Sequence, residues 1–101
     1  MTVYVDDYRG RFGRMVMSHM VADTTDELLE MAEQLGLKDY WIQEPGTWKE
    51  HFDVSQTKRT QAISLGVKPV TTREMAKIRM LFPRTRFLNP VVFESKLFCH
   101  F

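Results

Sequence analysis

Two segments of this chain share one pattern, and that repetition limits the fold more than any other feature of the sequence. Each runs from a histidine and an aspartate through a hydroxyl residue into a stretch that closes on Leu-Gly, an apolar residue and lysine. The closing glycines, Gly36 and Gly66, lie thirty positions apart. Glycine commonly ends a helix because it adopts the left-handed conformation without steric cost. The pattern predicts two β–α units, too few copies for a repeat protein.

Hydroxyl residues mark the starts of three predicted helices. Thr24 lies three residues before Glu27, the spacing of a capping box, in which hydroxyl and carboxylate each bond the other residue's backbone N–H. The same spacing recurs at Thr71, and Ser55 is a suitable N-cap for the helix between them. After Thr24, apolar residues recur at i, i+3, i+4 and i+7 and form one helix face. That face consists of Leu28, Met31, Ala32 and Leu35.

Apolar stretches predict the strands. Residues 2–7 alternate in character and end in two carboxylates, and residues 15–22 form a mostly apolar run. Residues 51–54 and 67–70 are shorter candidates, and a proline in the last indicates an edge position. Residues 7–14, rich in glycine and arginine, are predicted as an exposed loop. We expect an α+β fold, a small single domain with a short mixed sheet of three or four strands and three helices.

The chain of 101 residues has the size of one small domain. We expect residues 1–82 to form the compact α+β domain. Residues 83–101 differ in character, because they hold four phenylalanines and two prolines. We expect this C-terminal extension to dock on its own domain or to form a dimer contact.

Composition limits the compartment and the partners. The net charge is +1, from 14 basic and 13 acidic residues, so the chain as a whole does not attract nucleic acid or membrane. A single cysteine, Cys99, excludes an intramolecular disulfide. The N-terminal residues are polar and do not resemble a signal peptide, and no apolar run approaches the ~20 residues of a membrane helix. We expect a cytoplasmic protein.

The start of the second helix is the first candidate site. His51 and Asp53 would project from the same face of a strand, just before the N-cap Ser55. Backbone N–H groups and the helix dipole favour an anion at such a position. Lys58 and Arg59 follow in the first turns, where acidic residues are the usual choice. These residues predict a phosphate-binding site; simple solvation of the cations and a metal site are the alternatives.

The arginine-rich loop is a second candidate element. Arg9, Arg11 and Arg14 alternate with glycines and could close over a phosphate-bearing ligand. The loop is not a P-loop, because its sequence lacks G-x-x-x-x-G-K-[ST]. A solvated loop is the alternative interpretation.

Histidines and carboxylates also predict an acid–base or metal cluster. If the strands carrying His19 and His51 are neighbours, the two histidines and Asp53 would meet. For an enzyme, the catalytic candidates are Asp6, His19, His51 and Asp53. The spacing is not a zinc signature, so we expect no metal or other cofactor; the alternative is a divalent metal. Its ligands would be His19, Asp23, His51 and Asp53.

Several of these motifs together resemble one known family. They are a strand ending in aspartate, a His-apolar-x-Asp segment, a Glu-Leu helix with Leu-Gly, a His-aromatic-Asp segment, a basic residue and a Gly-apolar strand. Over residues 1 to about 80 the chain resembles the bacterial and phage domain of unknown function number 4031. The resemblance implies a bacterial or phage-infected cell and no particular activity. The matching positions are Asp6, His19, Asp23, Glu27, Leu28, Gly36, His51, Phe52, Asp53, Arg59 and Gly66.

These observations lead to functions of different classes. We expect a homodimeric binding protein for a phosphate-bearing small molecule such as a nucleotide, which in a phage would act on host nucleotide signalling. One alternative is a metal-dependent phosphoesterase or nuclease, and another is a protein-interaction module that uses the C-terminal tail. Whether the protein is an enzyme is left open. Nucleic acid is not favoured as a partner, because the aromatic and basic residues are scattered along the sequence.

Overall fold

The computed structural model describes residues 2–81; the predicted extension 83–101 lies outside the described residues. Within residues 2–81 the fold is α+β, with three helices and one mixed sheet of five strands. The strands are β1 (Val3–Val5), β2 (Gly10–Phe12), β3 (Met15–Ala22), β4 (Phe52–Ser55) and β5 (Lys68–Pro69). The helices are α1 (Thr25–Gln34), α2 (Gln56–Ser64) and α3 (Thr72–Leu81), with a short 3-10 helix at Asp39–Trp41.

The fold class is confirmed, but the expected number of strands was too low by at least one. The difference arises at residues 7–14, which were predicted as a loop and instead contain β2. β2 pairs with the start of β3 as an antiparallel hairpin around Gly13. Its glycine and arginine residues have little strand propensity, so this strand forms through its pairing with β3.

β3 is the centre of the sheet. Met17 pairs with Gly10 on one side and Ser55 on the other, while Met20 pairs with Val5 and Phe52. One edge of β3 therefore carries β4, and the other carries β1 and β2 in succession. β5 extends the sheet beyond β1, in parallel, and the proline-containing strand is at the edge as predicted.

A bulge separates β1 from β2. Between the pairs Val5–Met20 and Gly10–Met17, the four residues 6–9 lie opposite only Ser18 and His19. Extra residues in one strand bend it and redirect its side chains, and such bulges are common beside active sites. Here the bulge turns two side chains, Asp6 and Tyr8, towards the histidine.

The two faces of the sheet carry different helices. Helices α1 and α2 cover one face, where the main core contains Met20, Phe52 and Val54. On the opposite face, α3 packs through Met75 on Tyr4 and Val21. Because side chains alternate along a strand, the residues between these core positions in β3 and β4 point to the α3 side. This face also carries the candidate site.

The predicted N-cap residues are confirmed, and both halves of the capping box form at Thr71, whereas the Glu27 carboxylate accepts the Thr24 hydroxyl. The Thr24 hydroxyl accepts the Glu27 backbone N–H at 3.3 Å, and the Ser55 hydroxyl accepts that of Lys58 at 3.2 Å. The predicted glycine stops after α1 and α2 both have positive φ. Within residues 2–81, no helix is long and apolar enough to cross a membrane.

Candidate metal centre

Two adjacent strands bring three metal-binding side chains together. His19 of β3 lies directly opposite Asp53 of β4 in the strand register, and His51 precedes Asp53 by two residues on the same face. One ligand atom from each of the three residues lies within 4.8 Å of the other two. All three side chains are partly buried.

A buried carboxylate orients the first histidine. His19 Nδ1 lies 2.8 Å from Asp6 Oδ2, and Asp6 is only 1% exposed. The other carboxylate oxygen accepts the backbone N–H groups of His19 at 2.9 Å and Tyr8 at 3.2 Å. An ionised carboxylate only accepts hydrogen bonds, so His19 Nδ1 carries the hydrogen. With the hydrogen on Nδ1, the neutral form of this imidazole presents its lone pair on Nε2, the arrangement typical of a metal-ligating histidine.

A backbone carbonyl orients the second histidine in the same way. His51 Nδ1 donates to the Lys49 carbonyl oxygen at 2.7 Å, which leaves its Nε2 as the acceptor nitrogen. That Nε2 lies 3.3 Å from Asp53 Oδ1. Burial, the largest effect, lowers the pKa of His51 below its ordinary value of 6.5, although the Lys49 carbonyl and the Asp53 charge oppose that shift. His51 is therefore neutral at neutral pH, the form that binds metal.

The neutral state of His51 leaves two acceptors facing each other. The lone pair on Nε2 and the negative Asp53 oxygen are only 3.3 Å apart, and no hydrogen lies between them. A cation placed between these atoms converts their repulsion into attraction. The Gln43 side-chain amide donates to the other Asp53 oxygen and holds the carboxylate in this orientation.

The spacing suits coordination after small side-chain rotations. Ligand atoms around a tetrahedral ion lie roughly 3.4 Å apart when metal–ligand bonds are about 2.0–2.1 Å long. The His51–Asp53 pair already has this separation, and the cluster as a whole spans 4.8 Å. Three protein ligands leave a position open for water or substrate, as in catalytic zinc sites.

An aromatic ring covers one side of the first histidine. The Tyr8 ring stacks on the His19 ring with a centroid separation of 4.7 Å and an interplanar angle of 16°. A Cβ atom at residue 10 would overlap the Tyr8 ring, so Gly10 leaves the space that this stacking requires. His51 contacts His19 edge-to-face at 5.2 Å.

The remaining predicted residues lie elsewhere or have structural partners. Asp23 is not part of the cluster; its carboxylate accepts the Thr2 backbone N–H at 2.9 Å. Lys58 Nζ donates to the Leu35 carbonyl at the end of α1, and Arg59 Nε donates to the Asp6 carbonyl at 2.8 Å. Both predicted phosphate-binding cations thus contact backbone oxygens.

Other predicted residues have roles in the helices or face solvent. Ser55 caps α2. The three arginines of the predicted lid lie in and around the β2–β3 hairpin, and their side chains make no hydrogen bond or ion pair with other residues of the range 2–81; they are Arg9, Arg11 and Arg14.

Sequence reasoning missed four contributors to this site. Gln43 could have been suspected, because it and His51 flank a Pro-Gly turn and pair as a short antiparallel bridge. The sequence has no comparable signal for the Lys49 carbonyl or the Tyr8 ring. Arg79 of α3 donates to that same carbonyl at 3.3 Å, and its charge also lowers the pKa of His51.

The fold and the cluster define a small α+β protein with a candidate metal centre beside a bulged strand. The chain belongs to the family described as protein of unknown function DUF4031, whose model matches residues 3–81. The resemblance noted from the sequence is therefore confirmed. Neither the curated proteins nor the solved structures contain a match to this chain.

Proposed function

We propose that this protein is a divalent-metal-dependent hydrolase of phosphate esters, with His19, His51 and Asp53 as the metal ligands. One observation carries the proposal. A neutral His51 Nε2 and the Asp53 carboxylate face each other at 3.3 Å, next to a second histidine whose Nδ1 is held by Asp6. Facing acceptors in a partly buried position are stabilised by a cation.

The donor set indicates the class of metal. Two imidazoles and one carboxylate suit Zn²⁺ and neighbouring transition-metal ions, whereas Mg²⁺ and Ca²⁺ prefer oxygen ligands. Both histidines are held through Nδ1, one by Asp6 and one by the Lys49 carbonyl. Such outer contacts raise the basicity of ligand histidines and fix their rings. A bound metal would supply a nucleophilic water at neutral pH and stabilise negative charge on the substrate.

Nearby cations favour an anionic substrate. Arg79 contacts the Lys49 carbonyl, and its charge acts on His51. Arg59 reaches the Asp6 carbonyl from α2. Both guanidinium groups already donate to backbone carbonyls, so their support for an anionic substrate is the attraction of their positive charge near the site and not a direct contact. This arrangement supports a phosphate ester more than a neutral amide or ester substrate.

A nucleotide-binding role without turnover has less support. That expectation relied on Lys58 and Arg59 as cations available at the start of α2, and both donate to backbone carbonyls. The homodimer, the action on phage-host nucleotide signalling and an interaction through the C-terminal tail stay predictions. None of them rests on a contact among residues 2–81.

Metal binding and hydrolysis test the proposal directly. We expect the purified protein to bind one equivalent of Zn²⁺ in calorimetry, and to hydrolyse a nitrophenyl phosphodiester or monoester only until a chelator is added. His51→Ala should abolish both Zn²⁺ binding and hydrolysis while the far-UV circular dichroism spectrum is retained. Glu33→Ala, at an exposed position on α1, is a control and should change neither readout. Turnover that survives both chelation and His51→Ala would exclude the proposed mechanism.

A further inference from the structure

Gln43 contacts two of the three proposed metal ligands. Its backbone and that of His51 exchange both hydrogen bonds, at 2.8 and 3.1 Å, as an antiparallel pair. Directly opposed residues of such a pair carry their side chains on the same face. Asp53 follows His51 by two residues, so it is the diagonal neighbour of Gln43 and within reach of a long side chain. The Gln43 amide nitrogen donates to Asp53 Oδ2 across this diagonal.

The loop that carries Gln43 is tied to the domain by a buried carboxylate. Glu50 is 1% exposed and accepts the Gly46 backbone N–H at 3.3 Å and the Thr25 hydroxyl at 2.9 Å. Thr25 is the first residue of α1. Gln43 itself is exposed. Its backbone is therefore held in place while its side chain adds little to the core, so replacing this side chain affects Asp53 more than the fold.

The two oxygens of Asp53 have different neighbours. Oδ1 lies 3.3 Å from His51 Nε2, inside the cluster. Oδ2 accepts from Gln43, which lies at the strand edge that faces away from β3, because β3 occupies the other edge of β4. The donor must be the NH₂ group, since the amide oxygen beside a carboxylate oxygen would place two acceptors in contact. This contact draws Oδ2 towards the outer edge and leaves Oδ1 for a metal.

We propose that Gln43 determines which metal the site holds, because it keeps Asp53 a ligand through one oxygen only. This role rests on the proposed hydrolase and its three metal ligands. With Oδ2 engaged, the chain presents two imidazole nitrogens and one carboxylate oxygen. Three protein ligands with an open fourth position suit Zn²⁺, which is commonly tetrahedral in proteins.

Loss of the amide would change this coordination. Asp53 could then rotate and offer both oxygens to the metal. Binding through both carboxylate oxygens is common around ions with six or more ligands, and oxygen ligands suit Mn²⁺. The contact with Gln43 therefore favours Zn²⁺ over Mn²⁺ at the same three residues.

Affinities for these two ions test the role of Gln43. The full chain is freed of metal with a chelator and dialysed, and calorimetry measures its Kd for Zn²⁺ and for Mn²⁺. We expect Gln43→Ala to lower the preference for Zn²⁺ about tenfold or more, the effect typical of losing an outer-shell partner of a ligand. Gln43→Lys retains a donor for Oδ2. Its charge repels both divalent ions alike, so both affinities should fall while their ratio stays within about twofold of the wild-type ratio.

Cobalt reports the coordination directly. Co²⁺ accepts the same ligand types as Zn²⁺, and four-coordinate Co²⁺ absorbs visible light much more strongly than six-coordinate Co²⁺. We expect an intense visible band for the wild-type chain and for Gln43→Lys, and a weak band for Gln43→Ala. Partial unfolding would lower the amount of bound Co²⁺ without changing the spectrum of the bound fraction. Gln61→Ala removes an exposed amide of α2 as a matched control and should change neither the affinity ratio nor the spectrum.

The Gln43→Ala variant separates selectivity from simple support of the ligands. The role of Gln43 would be refuted if this variant kept the wild-type affinity ratio and Co²⁺ spectrum, whether or not it weakened the binding of both ions equally. Zn²⁺ binding and nitrophenyl ester hydrolysis by the wild-type chain would then still support the metal centre. A wild-type chain that binds no Zn²⁺ would contradict the hydrolase proposal itself, and the selectivity role with it.

Discussion

Replacing Asp6 by asparagine tests how the fold prepares His19 for metal binding. Asp6 is buried, and one of its oxygens accepts two backbone N–H groups while the other accepts His19 Nδ1. Asparagine has nearly the same shape, and its amide oxygen can keep the two backbone contacts. Its NH₂ group would then face His19 Nδ1 as a donor. The imidazole must respond by moving its hydrogen to Nε2, which removes the lone pair that a metal requires.

The size of the effect follows from these contacts. Loss of an outer-shell partner of a ligand histidine lowers metal affinity 10–100-fold, or about 1.4–2.7 kcal/mol. We expect Asp6→Asn to fall in this range. Three charge-assisted hydrogen bonds become neutral ones, so the free energy of unfolding should fall by about 3 kcal/mol. Asp6→Ala leaves buried N–H groups without an acceptor and should cost about 3–5 kcal/mol.

Calorimetric titration with Zn²⁺ measures the affinity, and urea unfolding of the metal-free chain measures the stability. Asp7 is the matched control, because this neighbouring carboxylate is exposed and accepts from Thr72 at the start of α3. Asp7→Asn should leave the Zn²⁺ affinity within about twofold. The reasoning would be refuted if Asp6→Asn bound Zn²⁺ as tightly as the wild-type chain while remaining folded.

Three further predictions concern stability. Because burial lowers the folded-state pKa of His51 below 6.5, the unfolded chain binds this proton more readily. The free energy of unfolding of the metal-free chain should therefore fall as pH drops below 6.5, and His51→Gln should flatten that dependence in urea unfolding at several pH values. Gly10→Ala should lower the free energy of unfolding by about 1–3 kcal/mol, because the added Cβ overlaps the Tyr8 ring. In a Tyr8→Ala background the same change should lower it little, and equal losses in both backgrounds would contradict the proposed overlap. Leu28→Ala should lower the free energy of unfolding by about 2–5 kcal/mol because Leu28, on the inner face of α1, is fully buried, whereas Leu65→Ala at a half-exposed position should lower it much less, as thermal unfolding would show.

The helices could be predicted because their signals are local. A capping hydroxyl bonds an N–H three residues away, as at Thr24 and Ser55, and an apolar face recurs within two turns. The predicted α+β class followed from the order of such local patterns. β2 was missed for the opposite reason, because its glycine and arginine form a strand only by pairing with β3.

In the candidate site, too, the sequence showed the residue types, but only the tertiary structure showed which of them meet. His19, His51, Asp53 and Asp6 stood out from the sequence as residue types with the right chemistry, but their sequence positions did not reveal which of them meet. Asp23 had an equal claim from spacing and lies outside the cluster.

The sequence by itself determined where the helices begin and end, which faces are apolar, and which side chains can bind a metal or a proton. Each of these properties depends on residues within a turn or two of each other along the chain. The tertiary structure alone decided that β4 lies beside β3, so that Asp53 stands opposite His19. It also decided that a bulge turns Asp6 towards that histidine. Strand order and bulges depend on pairing between distant residues, and this pairing energy exists only once the sheet has formed.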